Sequence, residues 1–212
     1  MYSFDEKTPT VLCEIMGRHK SDKGHVNILE SWHNYTTFYY SLFKEWREKP
    51  LRVFELGIGT TNESMVSNMG ARGRPGASLY GWHEFFPHAK IVGADIDTNI
   101  LFQTDSIQTF YCDQTNPDTI KTMWEKVEPV DIIIEDGLHT FHANVCFFEN
   151  SIHKLKTNGY YIIEDIVRQE ETLFLEKIKE WERKYTDCIF TFIRIPSMVN
   201  HFDNTLLVVY KR

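Results

Sequence analysis

This chain has no run of basic residues, no close pair of cysteines and no apolar stretch near the ~18 residues that a membrane helix needs. With a net charge of −7 it offers no broad positive footprint, so DNA or RNA is disfavoured as a partner. A small phosphorylated substrate stays open, because one pocket with a few Lys or Arg suffices for it. Cys13, Cys112, Cys146 and Cys188 are scattered, which excludes the close spacing of zinc sites and redox dithiols and suits a reducing, cytoplasmic setting. The opening MYSFDEKTPT lacks the charged-then-apolar build of a signal peptide, so a protein of the cytoplasm with no membrane partner is expected.

What is present is enough apolar residue for one sizeable core: 42% of the 212 residues are hydrophobic and 14% aromatic. Two full domains would be cramped, so a single compact unit is expected. Residues 1–50 read as a helical N-terminal cap whose clearest helix runs from Tyr35 to Trp46. Residues 51–212 read as an α/β core. Strands are predicted at Arg52–Gly57, Lys90–Asp95, Thr109–Asp113, Val130–Glu135 and Tyr160–Glu164, the last two Ile-rich, as befits strands buried on both faces. Helical spacing marks Asn116–Val127, His142–Leu155 and Glu170–Tyr185, and a short aromatic helix is read at Ser78–Phe86. Such alternation argues for a parallel, doubly wound sheet. Cys188–Ile195 and Thr205–Tyr210 follow with no helix between them, so an antiparallel hairpin is expected at one sheet edge.

The chemistry is concentrated at strand ends. VDIIIEDGLH (130–139) and YYIIED (160–165) are apolar runs that finish in acids, and neighbouring strands of such a sheet end on one crevice. Asp136, Glu164 and Asp165 should therefore meet, with His139 one step away. Carboxylates held so close need a cation or a shared proton, and hard oxygen donors suit Mg²⁺ or Mn²⁺. The plain alternatives are solvated loop ends and, for Asp136, a helix N-cap. After the first strand comes Glu55-Leu-Gly57-Ile-Gly59-Thr60, a glycine turn at a strand-to-helix junction that lets a ligand approach the backbone. Asp95 and Asp113 close the next two strands. The third glycine of the dinucleotide fingerprint is missing, which speaks against a pyrophosphate-binding dehydrogenase.

Glu55-x-Gly57-x-Gly59, Asp95 and Asp113 together resemble the cofactor motifs of class I S-adenosylmethionine-dependent methyltransferases. The resemblance implies a Rossmann-like seven-stranded sheet, five parallel strands plus the C-terminal hairpin. It puts Gly57, Gly59 and Thr60 under the methionine part of S-adenosylmethionine, Asp95 on the ribose and Asp113 near adenine, with Glu55 in support. SDKG (21–24), HNYT (33–36), SLYGWHEFFPHAKIVGADID (78–97), EDGLH and IIED narrow the resemblance to the macrocin and mycinamicin type of sugar O-methyltransferase. That type implies a magnesium-like ion on Asp136, Glu164 and Asp165, and His139 as general base beside Asp136. One departure is Leu138, where the family commonly has Ser in Asp-Asp-Gly-Ser-His.

The implied reaction is methyl transfer to a hydroxyl of a sugar, a nucleotide-activated sugar or small glycan precursor, by a possible homo-oligomer. A catechol-like or phosphate-type acceptor, or a non-catalytic cofactor-binding protein, are the alternatives. Tyr35 or His33 could reach cofactor or substrate from the cap, although Tyr35, Phe38, Tyr39, Leu42 and Phe43 also form the apolar face of a helix. Lys23 and Arg168 are candidates for a substrate phosphate, with exposed, solvated charge as the ordinary reading. Trp82, Phe85 and Phe86 are read as packing on the sheet, with a place beside adenine as the alternative.

Overall fold

The computed structural model describes residues 4, 5 and 7–212. In chain order it contains α1 (Val11–His19), α2 (Tyr35–Phe43), β1 (Arg52–Leu56), α3 (Ala77–Phe85), β2 (Lys90–Asp95), β3 (Ile107–Tyr111) and α4 (Pro117–Trp124). Then follow β4 (Val130–Glu135), α5 (Phe141–Ser151), β5 (Leu155–Ile163), α6 (Glu171–Lys184), β6 (Cys188–Arg194) and β7 (Thr205–Lys211). The seven strands form one sheet in the order β3-β2-β1-β4-β5-β7-β6. The first five in this order are parallel, and β7 inserts antiparallel between β5 and β6. The strand order reverses between β1 and β4, which opens a crevice at their carboxyl ends.

Consecutive apolar residues in the central strands serve two cores. Ile132 and Ile134 face the layer that holds Leu12, Phe38 and Trp82, whereas Ile133 faces Trp124, Phe147 and Trp181. A period-2 strand with no polar face must be covered on both sides, and here α1, α2 and α3 cover one side and α4, α5 and α6 the other. The N-terminal helices thus fill one of the two layers on the sheet. Asn116 caps α4 by accepting from the Asp118 N–H, with Pro117 at the first helical position.

Two local expectations are corrected. The glycine turn does not lead straight into a helix: residues 57–76 form a loop before α3, folded back by Gly76 N–H donating to Ile58 O (2.7 Å) and Met69 N–H to Thr60 O (2.9 Å). Its Asn62 and Asn68 side chains accept from backbone N–H groups two residues on, the Asx geometry that competes with helix. Strand β3 ends at Tyr111, two residues before Asp113, so Asp113 lies in the loop beyond it.

Candidate active site

A cleft of about 500 Å³ lies at the switch point. Its walls come from Glu55–Thr60, the loop at residues 65–69, Asp95, the segment Cys112–Thr115, Asp136–His139, Asp165 and Asp203, with Ser21, Asp22, Trp32 and His33 contributed from the N-terminal segment. Among the described residues that line it there is no Lys or Arg.

One wall is made of tight loops. Gly57 has φ +79°, and a Cβ there would lie 1.7 Å from the Asp136 carbonyl oxygen, so the residue is glycine because the ends of β1 and β4 touch. Asp95 accepts from Ile58 N–H (2.8 Å) with one oxygen and from Asp97 N–H (2.9 Å) with the other, and burial raises its pKa. Thr60 donates its hydroxyl to Asp97 (2.5 Å), a buried acid that the sequence reading did not single out. Asp113 accepts from Thr115 N–H (2.9 Å). Gly57, Gly59, Thr60, Asp95 and Asp113 all line the cleft, whose volume suits a small-molecule cofactor. Glu55 also lines it, but its carboxylate accepts from the Ser78 hydroxyl and from Trp82 Nε1–H (2.6 Å).

The other wall carries the charge. Asp136 presents Oδ1 to His139 Nε2 (2.9 Å) and Oδ2 to Lys23 Nζ (2.5 Å), so it is not a helix cap. Lys23 also donates to Glu164 Oε2 (2.5 Å) and stands 3.6 Å from Glu55 Oε1. It is 2% exposed, which reverses the reading of Lys23 as a solvated charge. His139 Nε2 is 3.5 Å from Asp165 Oδ2, and His33 Nδ1 is 3.3 Å from Asp165 Oδ1. His139 (φ +57°) and Asp165 (φ +54°) both hold the left-handed conformation, an uncommon state for such residues that clusters at functional sites.

Burial opposes charge throughout this wall, and the partners decide who keeps it. For Lys23, desolvation is overcome by Asp136, Glu164 and Glu55, and its pKa is raised. For Asp136, desolvation yields to Lys23 and His139, which hold the carboxyl well below its usual range. Burial lifts Glu164, Glu55 and Asp165 above theirs. His139 is pushed up to about 9, because Asp165 and Asp136 outweigh its burial.

One ligand atom each from Asp136, His139 and Asp165 lie within 4.8 Å of one another, an arrangement able to hold a cation. The expected trio had Glu164 in place of His139. Glu164 instead has one oxygen on Lys23 and the other accepting from the Tyr39 hydroxyl. Tyr35, expected to reach the cofactor, does not line the cleft: it is 1% exposed and donates to Asp165, which it orients. Trp82, Phe85 and Phe86 are wholly buried in the core and do not line the cleft either. Arg168 lies in a separate, smaller pocket with Arg194.

Gln114 belongs to the site as well, although its sequence context does not mark it. Its Nε2 donates to Glu135 (2.7 Å) and its Oε1 accepts from Leu138 N–H (2.7 Å), so it ties the β3 end to the EDGLH loop. Glu135 is buried on Gln114 and the Tyr161 hydroxyl, facing away from Asp136. The only available signal was a polar residue directly after Asp113. Leu138, at the position where the resemblance leads one to expect Ser, also lines the cleft.

No protein-family model matches the chain. It is 30% identical over 158 residues to the 8-demethyl-8-(2-methoxy-alpha-L-rhamnosyl)-tetracenomycin-C 3'-O-methyltransferase of Streptomyces olivaceus, 74% of this chain and 37% of that protein. It is 31% identical over 137 residues to the demethylmacrocin O-methyltransferase of Streptomyces fradiae, 64% of this chain and 32% of that protein. The chain thus spans about a third of the length of the curated relatives it matches. The solved structure of the MycE methyltransferase from the mycinamycin biosynthetic pathway, in complex with Mg and SAH, has the same fold: TM-score 0.71 at 23% identity, covering 97% of this chain and 55% of that one. Taken with the seven-stranded sheet and the cleft at its switch point, these matches show that the chain has the fold of class I methyltransferases and that most of its length is similar in sequence to part of the macrocin- and mycinamicin-type sugar O-methyltransferases.

Proposed function

We propose that the chain transfers a methyl group from S-adenosylmethionine to a hydroxyl of a sugar, with a divalent cation bound beside the acceptor. The observation that carries this reading is the cluster of Asp136, His139 and Asp165 across one cleft from the Gly57 turn and Asp95. What supports a cofactor on the first wall is that the tight Gly57–Thr60 turn lines the cleft and that Asp95 beside it offers a carboxylate to a ribose diol. Asp136 and Asp165, with Glu164 behind them, are the residues that would hold Mg²⁺ or Mn²⁺, whose oxygen preference they match. Such an ion, when bound, supplies positive charge that makes a nearby hydroxyl more acidic.

His139, raised to about 9 by Asp165 and Asp136, acts as base in its unprotonated fraction, taking the proton of the acceptor hydroxyl at Nε2 as the oxygen attacks the sulfonium methyl and S-adenosylhomocysteine leaves. Asp136 and Asp165 flank that nitrogen, so they stabilise the imidazolium that the transfer creates. Tyr35 keeps Asp165 in place from the buried side. A cleft lined, among the described residues, by several acids and by no Lys or Arg favours an uncharged sugar or glycoside over the nucleotide-activated sugar of the sequence reading. The same argument weighs against a phosphate-type acceptor.

The test is methyl transfer from labelled S-adenosylmethionine to a panel of free sugars, neutral glycosides, catechols and sugar nucleotides, with EDTA or with added Mg²⁺ or Mn²⁺. Transfer to a neutral sugar that EDTA abolishes and the metal restores is the expected result. Full activity in chelator removes the metal from the reading, and transfer confined to sugar nucleotides or catechols replaces the acceptor.

A further inference from the structure

Among the described residues Lys23 is the only Lys or Arg that is fully buried, and nothing in the reaction outlined above uses it. An ammonium has three donors and no acceptor. At Lys23 they face three carboxylates: Asp136 and Glu164 at 2.5 Å each, and Glu55 at 3.6 Å. These acids follow β4, follow β5 and belong to β1, so one side chain from the N-terminal segment joins three parallel strands. The contact also sorts the oxygens. Asp136 gives Oδ2 to Lys23 and keeps Oδ1 on the His139 side, where Asp165 stands. Glu164 has both oxygens engaged, by Lys23 and Tyr39.

We propose that Lys23 is a positioning residue that serves as a permanent monovalent cation of the acid cluster, restricting the cleft to one divalent ion and setting how tightly that ion is held. This rests on the metal-dependent reading given above. Without Lys23, Glu55, Asp136, Glu164 and Asp165 would form a basin of negative charge able to draw in more than one hard cation. With Lys23 in place the Glu164 side is already neutralised, and the open position lies between Asp136 and Asp165. The fixed ammonium also repels the ion bound there. A unit charge a few ångströms from a divalent ion changes its affinity by about tenfold even under water-like screening.

The test is direct Mn²⁺ binding, followed by the paramagnetic resonance of free Mn²⁺, with no methyl donor or acceptor present. Wild type should bind one ion per chain. Lys23→Met should bind it about tenfold more tightly or take up a second ion. Glu55→Gln strips a carboxylate from Lys23 and leaves Asp136 and Asp165 intact, so it should bind Mn²⁺ several-fold more weakly. A purely structural role would loosen binding in both variants, so shifts in the same direction, or none in folded Lys23→Met, overturn the inference. If Lys23→Met does not fold, an unchanged affinity in Glu55→Gln overturns it. Absence of Mn²⁺ binding by the wild type removes the metal reading itself, and this inference with it, independently of either variant.

Discussion

Along the ends of β1, β2 and β3 the cleft wall is held by groups that follow one another closely: Asp95 accepts from Asp97 two residues on, and the longer ties, Ile58 to Asp95 and Thr60 to Asp97, span 37 positions within adjoining strand-loop units. Along β4 and β5 the spans are three to four times greater. Lys23 meets Asp136 across 113 positions and Glu164 across 141, while Tyr35 and Tyr39 meet Asp165 and Glu164 across 130 and 125. The first wall is mostly backbone N–H groups satisfied by nearby carboxylates. The second is a buried network of charged side chains whose counter-groups come from the N-terminal segment. A wall of satisfied backbone donors can thus be built from strand-loop units alone, whereas an acid cluster needs partners to offset desolvation, and here they arrive from α2 and the loop before it.

The largest expected effect separates the two walls by function. His139→Ala should lower methyl transfer by about 10²–10⁴-fold while S-adenosylmethionine binding, measured by calorimetry, is kept. Unchanged turnover would take His139 out of the base role, and lost cofactor binding would mean that the walls do not act separately. Gly57→Ala strikes where they touch. The left-handed φ alone costs about 1–3 kcal/mol in a non-glycine residue, and the overlap with Asp136 O adds to it. Thermal unfolding should show a clear loss of stability, and a fully stable variant would mean that β1 and β4 can separate freely at this point.

Tyr35→Phe tests the long-range wall on its own. It leaves buried Asp165 short of one donor, at a cost of about 1–3 kcal/mol in denaturant unfolding, with no change in cofactor affinity because Tyr35 does not line the cleft. A weakened cofactor affinity with stability intact would return Tyr35 to the cofactor role first expected of it.

The strands around the site were legible because an unbroken apolar run that ends in an acid has few other places in an α/β protein: Lys90–Asp95 and Val130–Glu135 agree with β2 and β4 to the residue. The expected strand to Asp113 runs two residues too far, since Cys112 continues the apolar pattern past Tyr111, the last ladder pairing. α1 carries no clear sequence signal of its own. Its Thr10 capping box uses Cys13 where Glu or Gln is the usual signal, which hid the helix start. The glycine turn was recognised, but the Asx turns that keep 57–76 from becoming helix were not.

Composition, strand periodicity and the acids at strand ends determined the doubly wound sheet, its antiparallel edge and the arrival of Asp136, Glu164 and Asp165 at neighbouring strand ends with His139 close by, because parallel strands deliver their carboxyl ends to one crevice whatever lies elsewhere. Only the tertiary structure decided who balances those acids. Lys23 reads as a surface charge, Tyr35 as a cofactor contact and Gln114 as nothing in particular until packing buries them. What fixes their roles is the low dielectric around Glu164 and Asp165, where each polar group must have a partner, and sequence spacing carries no record of which distant donor supplies it.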